Sequence, residues 1–290
     1  MRPVVYSNDG RHVTLSLPLY SSWQHCANSA VLYHSGVWEF TGAPAQAQIL
    51  NWDTGYPRTL PLPTGDRIGS HTFSQSPDCA TVAFTDQDWI YLFSVESGSL
   101  TKWVAGAYPA YAPDGKSIAF QRDRTLILKQ VASGEETALH DLDGLLSGQA
   151  SYLAGVSWGG TGRYLLLTME DADREPFGED FVLVDLDGGN AITVFQTSSG
   201  RLLSPPAMSP DERYVAYIDE AASNQDSALI VYGIAQACVV AVHPMVDASK
   251  VFWAPDGTQI LVMTWPGSEG DFIDVSDVLP ANLTPPCLEP

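Results

Sequence analysis

Short runs of apolar and β-branched residues recur along the chain, and each is entered through the same polar signal. The clearest case is APDGKSIAF, residues 112–120. Pro113 pre-sets one turn dihedral, Asp114 can accept a hydrogen bond from the backbone two residues on, and Gly115 takes the positive φ that closes a tight reversal. The run Ser117-Ile118-Ala119-Phe120 behind it has strand composition, and another short strand, Tyr108–Tyr111, precedes it. The pattern therefore predicts a corner between two antiparallel strands. It recurs as SNDGRHVTL (7–15), SPDCATVAF (76–84), GGTGRYLLL (159–167), SPDERYVAY (209–217) and APDGTQILV (254–262). Behind Phe120, LILKQVASG (126–134) and EETALHDL (135–142) read as two further strands.

Each unit is thus four short antiparallel strands, a to d, that cannot bury both faces alone. Stacking such sheets in a ring buries them. The prediction is an all-β, six-bladed β-propeller of four-stranded antiparallel blades forming a single domain. The blades fall roughly at 1–63, 64–107, 108–142, 143–200, 201–245 and 246–290. Three corners depart from the pattern, at Cys79, Thr161 and Glu212, and are expected to use other turn chemistry.

At these corners the sequence resembles the TolB-type propeller repeat, with its W/S-P-D-G corner and I-A-F-like strand. The resemblance covers nearly the whole chain and implies the fold. It leaves function open, because that family includes partner-binding domains, enzyme-appended domains and enzymes.

The corner motif marks one face of a propeller, so b–c and d–a connections mark the other. The longest is 18–44 in blade 1, read as an insertion that can form its own hairpin. It carries Trp23, His25, Tyr33, His34 and Trp38 as candidate binding residues. Blade 4 adds the acidic loop 170–180, with Asp171, Asp173, Glu175 and Glu179 against one Arg174. Connections 141–152, 219–226 and 266–271 lie on the same face. Insertions gathered on one face of a repeat protein mark a binding face.

Charge sharpens this picture. With 14 Lys and Arg against 34 Asp and Glu, the net charge is −20. That argues against nucleic acid and anionic membrane and favours a basic protein partner. No apolar run reaches the ~18 residues of a membrane span. The acidic loop is the stretch best suited to a hard cation such as Ca2+, although it lacks a calcium-loop spacing. Asp185-Leu186-Asp187-Gly188 reads as the c–d turn of blade 4. His25, Cys26 and His34 match no zinc spacing. Gly155-Val156-Ser157-Trp158-Gly159 matches G-x-S-x-G, but a nucleophile elbow needs a helix to follow, and TGRYLLLT is β in character.

Cys26 in the first insertion and Cys287 after the last strand fall on blades that adjoin where the ring closes. A Cys26–Cys287 disulfide is the expected pairing, with Cys79 and Cys238 expected to lie too far apart to join, although four cysteines allow three full pairings and the sequence leaves the others open. A disulfide implies an oxidising, extracytoplasmic compartment, with the leader outside this sequence. The reading is a non-catalytic binding or scaffold propeller that engages a protein partner or ligand through the face carrying the b–c and d–a loops, as part of an extracytoplasmic, oligomeric assembly. The alternatives are a lyase or hydrolase of extracellular polysaccharide using the central mouth, and a subunit of a filament or surface layer.

Overall fold

The corner chemistry sets the fold, as a computed structural model of the chain shows. The residues described are 4–6, 12–14, 21–26, 29–34, 46–51, 57–60, 73–145, 151–171, 178–196, 206–220, 226–246, 248–254, 256–264, 270–274, 279 and 287. Among them there is no α-helix.

The strands divide into two units, Met1–Asp143 and Gly144–Pro290. In the first, β1 (Val4–Tyr6) and β2 (His12–Thr14) form a two-stranded sheet. Next come β3 (Ser21–Cys26), β4 (Ser29–His34), β5 (Gln46–Asn51) and β6 (Pro57–Thr59), in that order in one sheet. The third sheet is β7 (Phe73–Gln75), β8 (Thr81–Asp86), β9 (Trp89–Ser94) and β10 (Leu100–Ala105). The fourth is β11 (Ala107–Tyr111), β12 (Ser117–Arg122), β13 (Thr125–Gln130) and β14 (Glu136–Asp141).

The second unit holds β15 (Ser151–Trp158), β16 (Tyr164–Asp171), β17 (Gly178–Asp185) and β18 (Asn190–Gln196) in one sheet. A second sheet has β19 (Ala207–Met208), β20 (Tyr214–Glu220), β21 (Asp226–Gly233) and β22 (Cys238–Val246). The last has β23 (Ala248–Trp253), β24 (Gln259–Thr264) and β25 (Gly270–Asp274). Every pairing is antiparallel between sequence neighbours.

The start of the chain differs from the sequence reading. The stretch 18–44 does form a hairpin, but β3 and β4 are not an insertion between strands of an existing blade. They are the first two strands of a sheet that β5 and β6 complete, with Val31 opposite Ile49 and Leu50 opposite Pro57. The segment 46–51 therefore pairs with 29–34 and not with β2.

The corners share one geometry. The N–H of the fourth corner residue donates to the carbonyl of the first: Cys79 to Ser76 at 2.8 Å, Gly115 to Ala112 at 2.9 Å, Gly162 to Gly159 at 3.3 Å, Glu212 to Ser209 at 2.9 Å and Gly257 to Ala254 at 2.9 Å. That fourth residue has positive φ each time, including Cys79 (62°) and Glu212 (56°). The expected change of turn at Cys79 and Glu212 is thus corrected. Both keep the turn and hold a side chain in the left-handed region, at a cost of about 1 kcal/mol each. Four corner aspartates accept the N–H two residues on: Asp78 from Ala80 (3.0 Å), Asp114 from Lys116 (2.9 Å), Asp211 from Arg213 (3.1 Å) and Asp256 from Thr258 (3.0 Å).

Alternate residues of the central strands enter different cores. On β8, Val82 and Phe84 pack with Leu60, Phe73 and Phe93, while Ala83 packs with Tyr111, Ile118 and Phe120. On β20, Val215 and Tyr217 meet Leu166, Phe181 and Leu183, while Ala216 and Ile218 meet Val251, Ile260 and Val262. A strand buried on both faces shows that its sheet is sandwiched between neighbours. Each large side chain so enclosed contributes roughly 1.5–3 kcal/mol. Polar braces cross the same junctions: Tyr111 N–H donates to Ser74 Oγ (2.8 Å), and Trp253 Nε1 donates to the Ala207 carbonyl (3.0 Å).

The disulfide differs from expectation. Cys287 is bonded to Cys238, not to Cys26. The physical reason is the burial of Leu279 in the core that β22, the strand Cys238 opens, lines with Val240 and Ala241. Cys79 is also disulfide-bonded.

Candidate carboxylate-lined site

In the four-stranded meanders from β7 to β22 the corner lies at one end of the sheet, and the connection between the second and third strands lies at the other. In the second unit those connections are long, and antiparallel register sets what flanks them. On the sheet β15–β18, Tyr152 is opposite Glu170, and Glu170 is opposite Glu179, giving one row across three strands. One step outward, Ser151, Asp171 and Gly178 form the last row. One step inward, Met169 is opposite Asp180, which is buried.

The Tyr152 hydroxyl donates to Glu170 Oε2. Tyr152 is 44% exposed, so a phenol and a carboxylate stand together at the solvent boundary. The register thus sets two glutamate positions directly opposite on adjacent strands, a pairing in which like charges cost of order 0.2–1 kcal/mol. The neighbouring sheet repeats the composition at the same end: Asp219 is opposite Ala228 and Glu220 opposite Ser227, with Asp226 opening β21. Burial raises the pKa of Asp219 above the ordinary carboxylate range. No lysine or arginine lies among the described residues of these strand ends.

On β11–β14 a carboxylate is instead paired with cations. Glu136 stands opposite Lys129 toward the corner end of the sheet, and the Arg122 guanidinium forks onto it, Nη1 to Oε2 at 2.8 Å and Nη2 to Oε1 at 3.0 Å, while Lys129 Nζ reaches Oε1 at 2.7 Å. These cations hold the Glu136 carboxyl down to about 2. Arg124 pairs with Asp143. On β7–β10, Lys102 Nζ lies 3.6 Å from the ring centroid of Trp89.

Of the residues expected at the binding face, Glu179 and Asp171 take register positions in the acidic rows. Trp23 is opposite Leu32 and His25 opposite Ala30 on the β3–β4 hairpin, and Tyr33 is opposite Ser22 and His34 opposite Ser21. Trp38, Asp173 and Glu175 lie outside the described residues. Tyr152 is the residue that the sequence reading misses; Glu170 and Asp180 belong to its acidic loop 170–180, and Asp219 to its connection 219–226. The usable signal was the strand register on either side of 172–177, which sets Glu170 against Glu179.

The remaining motifs are structural. Ser157 lies in β15, and its Oγ donates to the Leu166 carbonyl (3.4 Å), so G-x-S-x-G is strand and corner. Asp185 ends β17 and accepts the N–H groups of Asp187 (3.0 Å) and Gly188 (3.3 Å), making 185–188 the turn into β18. Among the described residues no three His, Cys, Asp or Glu side chains converge as metal ligands.

No protein family and no curated protein sequence matches this chain. Solved structures do. TolB from Acinetobacter baumannii superposes with a TM-score of 0.54 at 16% identity, over 79% of this chain and 60% of that one. An oligogalacturonate lyase from Vibrio parahaemolyticus gives 0.55 at 12% identity, over 94% and 84%. A GH74 enzyme from Niastella koreensis gives 0.59 at 11% identity, over 88% and 44%. The chain thus spans 60% of the length of that TolB and less than half of the GH74 enzyme. At these identities the likeness is one of fold, and with the stacked antiparallel sheets it makes this chain an all-β protein of the β-propeller class.

Proposed function

We propose that this protein is a non-catalytic binding propeller that engages a basic protein partner through the carboxylate-bearing ends of β15–β18 and β19–β22. The observation that carries this reading is the row Tyr152–Glu170–Glu179. An arrangement that places like charges opposite each other weakens the sheet by itself, and a lysine- or arginine-bearing surface relieves the repulsion. Tyrosine beside such charges is a favoured interface anchor, and arginine on the facing surface pairs bidentately with carboxylates. A hard cation such as Ca2+ is the competing ligand for the same oxygens. The Cys238–Cys287 disulfide supports an extracytoplasmic setting, where such bonds persist.

Fold likeness to TolB on one side and to a lyase and a GH74 enzyme on the other accommodates both binder and polysaccharide-active readings, and the carboxylate row favours the binder. Crosslinking capture from the native envelope and medium tests it, with wild-type protein beside a Glu170→Gln/Glu179→Gln variant. A stoichiometric partner, released by salt and lost in the variant, is the expected result. Absence of any partner, with depolymerisation of an acidic or neutral polysaccharide, overturns it.

A further inference from the structure

Two of the three departures from the repeat are one event. The fourth corner lacks the aspartate, having Thr161, and the fifth lacks the glycine, having Glu212. The structure joins them. Glu212 is buried, and its carboxylate crosses to the neighbouring corner. Oε1 accepts the N–H groups of Thr161 (2.9 Å) and Gly162 (3.0 Å), and Oε2 accepts the Thr161 hydroxyl. The cradle is shaped for this group. A Cβ on Gly159 would lie 2.1 Å from Glu212 Oε1, and one on Gly160 would lie 2.5 Å from the Pro210 carbonyl oxygen. Gly162 has a φ of 82°, and its N–H meets the same oxygen that the Thr161 N–H reaches. Successive backbone N–H groups converging in this way form an anion-binding nest.

We infer that the Gly159-Gly160-Thr161-Gly162 corner is a carboxylate-binding site that the chain fills with its own Glu212, and that it takes a short-chain monocarboxylate when that side chain is removed. The left-handed backbone at Glu212 is what aims the side chain across the junction, and the contact latches one sheet to the next. Glu212→Gly removes the ligand without straining its own turn, because glycine is at ease at a φ of 56°. The atoms it deletes are those of propionate less one hydrogen.

Thermal unfolding tests this with wild type, Glu212→Gly, Thr161→Asp and the double variant, in chloride and in propionate at equal ionic strength. Glu212→Gly lowers Tm by about 5–10 °C, given the charge-assisted bonds lost. Propionate restores part of that loss saturably, acetate and formate restore less, and wild type does not respond. Thr161→Asp alone sets a second carboxylate against Glu212 and lowers Tm. The double variant rebuilds both corners to the repeat pattern, so its loss is smaller than the sum of the singles. A Glu212→Gly Tm equal to wild type, an equal propionate response in both, or strictly additive losses would overturn the inference. If Glu212→Gly does not fold, Glu212→Gln is read in its place. A lowered Tm that propionate leaves unchanged supports the site, since the amide still fills it, and an unchanged Tm overturns it.

Discussion

The two ends of the sheets β15–β18 and β19–β22 are built by opposite rules. At the corner end, carboxylates are absorbed by the fold. Asp211 takes the Arg213 N–H, Glu212 fills the neighbouring corner, and Asp185 holds the Arg163 guanidinium through Nε (3.2 Å) and Nη2 (2.7 Å). At the other end, Glu170 and Glu179 oppose one another and Asp219 sits in a desolvated position. Carboxylates that the backbone and arginines satisfy stabilise the molecule, whereas carboxylates set against each other cost stability and are explained by what they bind. This contrast separates the scaffold from the candidate site more sharply than conformation does, since both ends are ordinary antiparallel sheet.

The largest effect is expected from breaking the corner end. Gly159→Ala drives a methyl into the Glu212 carboxylate and should cost about 3 kcal/mol, measured by chemical denaturation. Removing the Cys238–Cys287 bond by Cys238→Ser should cost about 2–4 kcal/mol by the same measurement. A nonreducing peptide map should recover Cys238 with Cys287. Because Cys79 is bonded as well, and β3 packs against β7, it should appear with Cys26, the remaining cysteine.

The loop end should respond with the opposite sign. Glu170→Gln/Glu179→Gln relieves like-charge repulsion and should raise stability by about 0.5 kcal/mol. Titration sharpens the comparison further. Arg163 and the turn N–H groups hold Asp185 down to about 2, so its contribution is full above the unfolded value of 3.8 and is lost as pH falls toward 2. Asp219 is shifted upward by burial, so protonation favours the folded state. Its contribution is full below 3.8 and is lost as pH rises through the elevated folded value. Carboxyl-carbon NMR titration should find the two on opposite sides of 3.8. A comparably small effect is expected in the first unit, where Glu136→Gln should cost about 0.5 kcal/mol, as expected of a partly exposed ion-pair cluster.

How much of this is legible in the sequence follows from range. The corners are local: proline, aspartate and a left-handed residue within four positions write their own hydrogen bonds, so strand order from β7 onward reads directly. The sheet β3–β6 is misread because 18–44 carries no corner motif, so nothing local marks β4 as the partner of β5. The disulfide is misread because ring closure suggests one neighbour for Cys287, while burial of Leu279 chooses another. Glu212 is seen in the sequence only as a missing glycine, since its partner stands fifty-odd residues away on the next sheet. The acidic stretch 170–180 is visible as charge, but the Tyr152–Glu170–Glu179 row exists only once register is fixed.

The most direct test is to measure partner capture and folding stability together in the Glu170→Gln/Glu179→Gln variant. The account predicts that capture is lost while stability is equal to or above that of wild type. Undiminished capture by a variant of that stability would contradict it and move the binding face elsewhere.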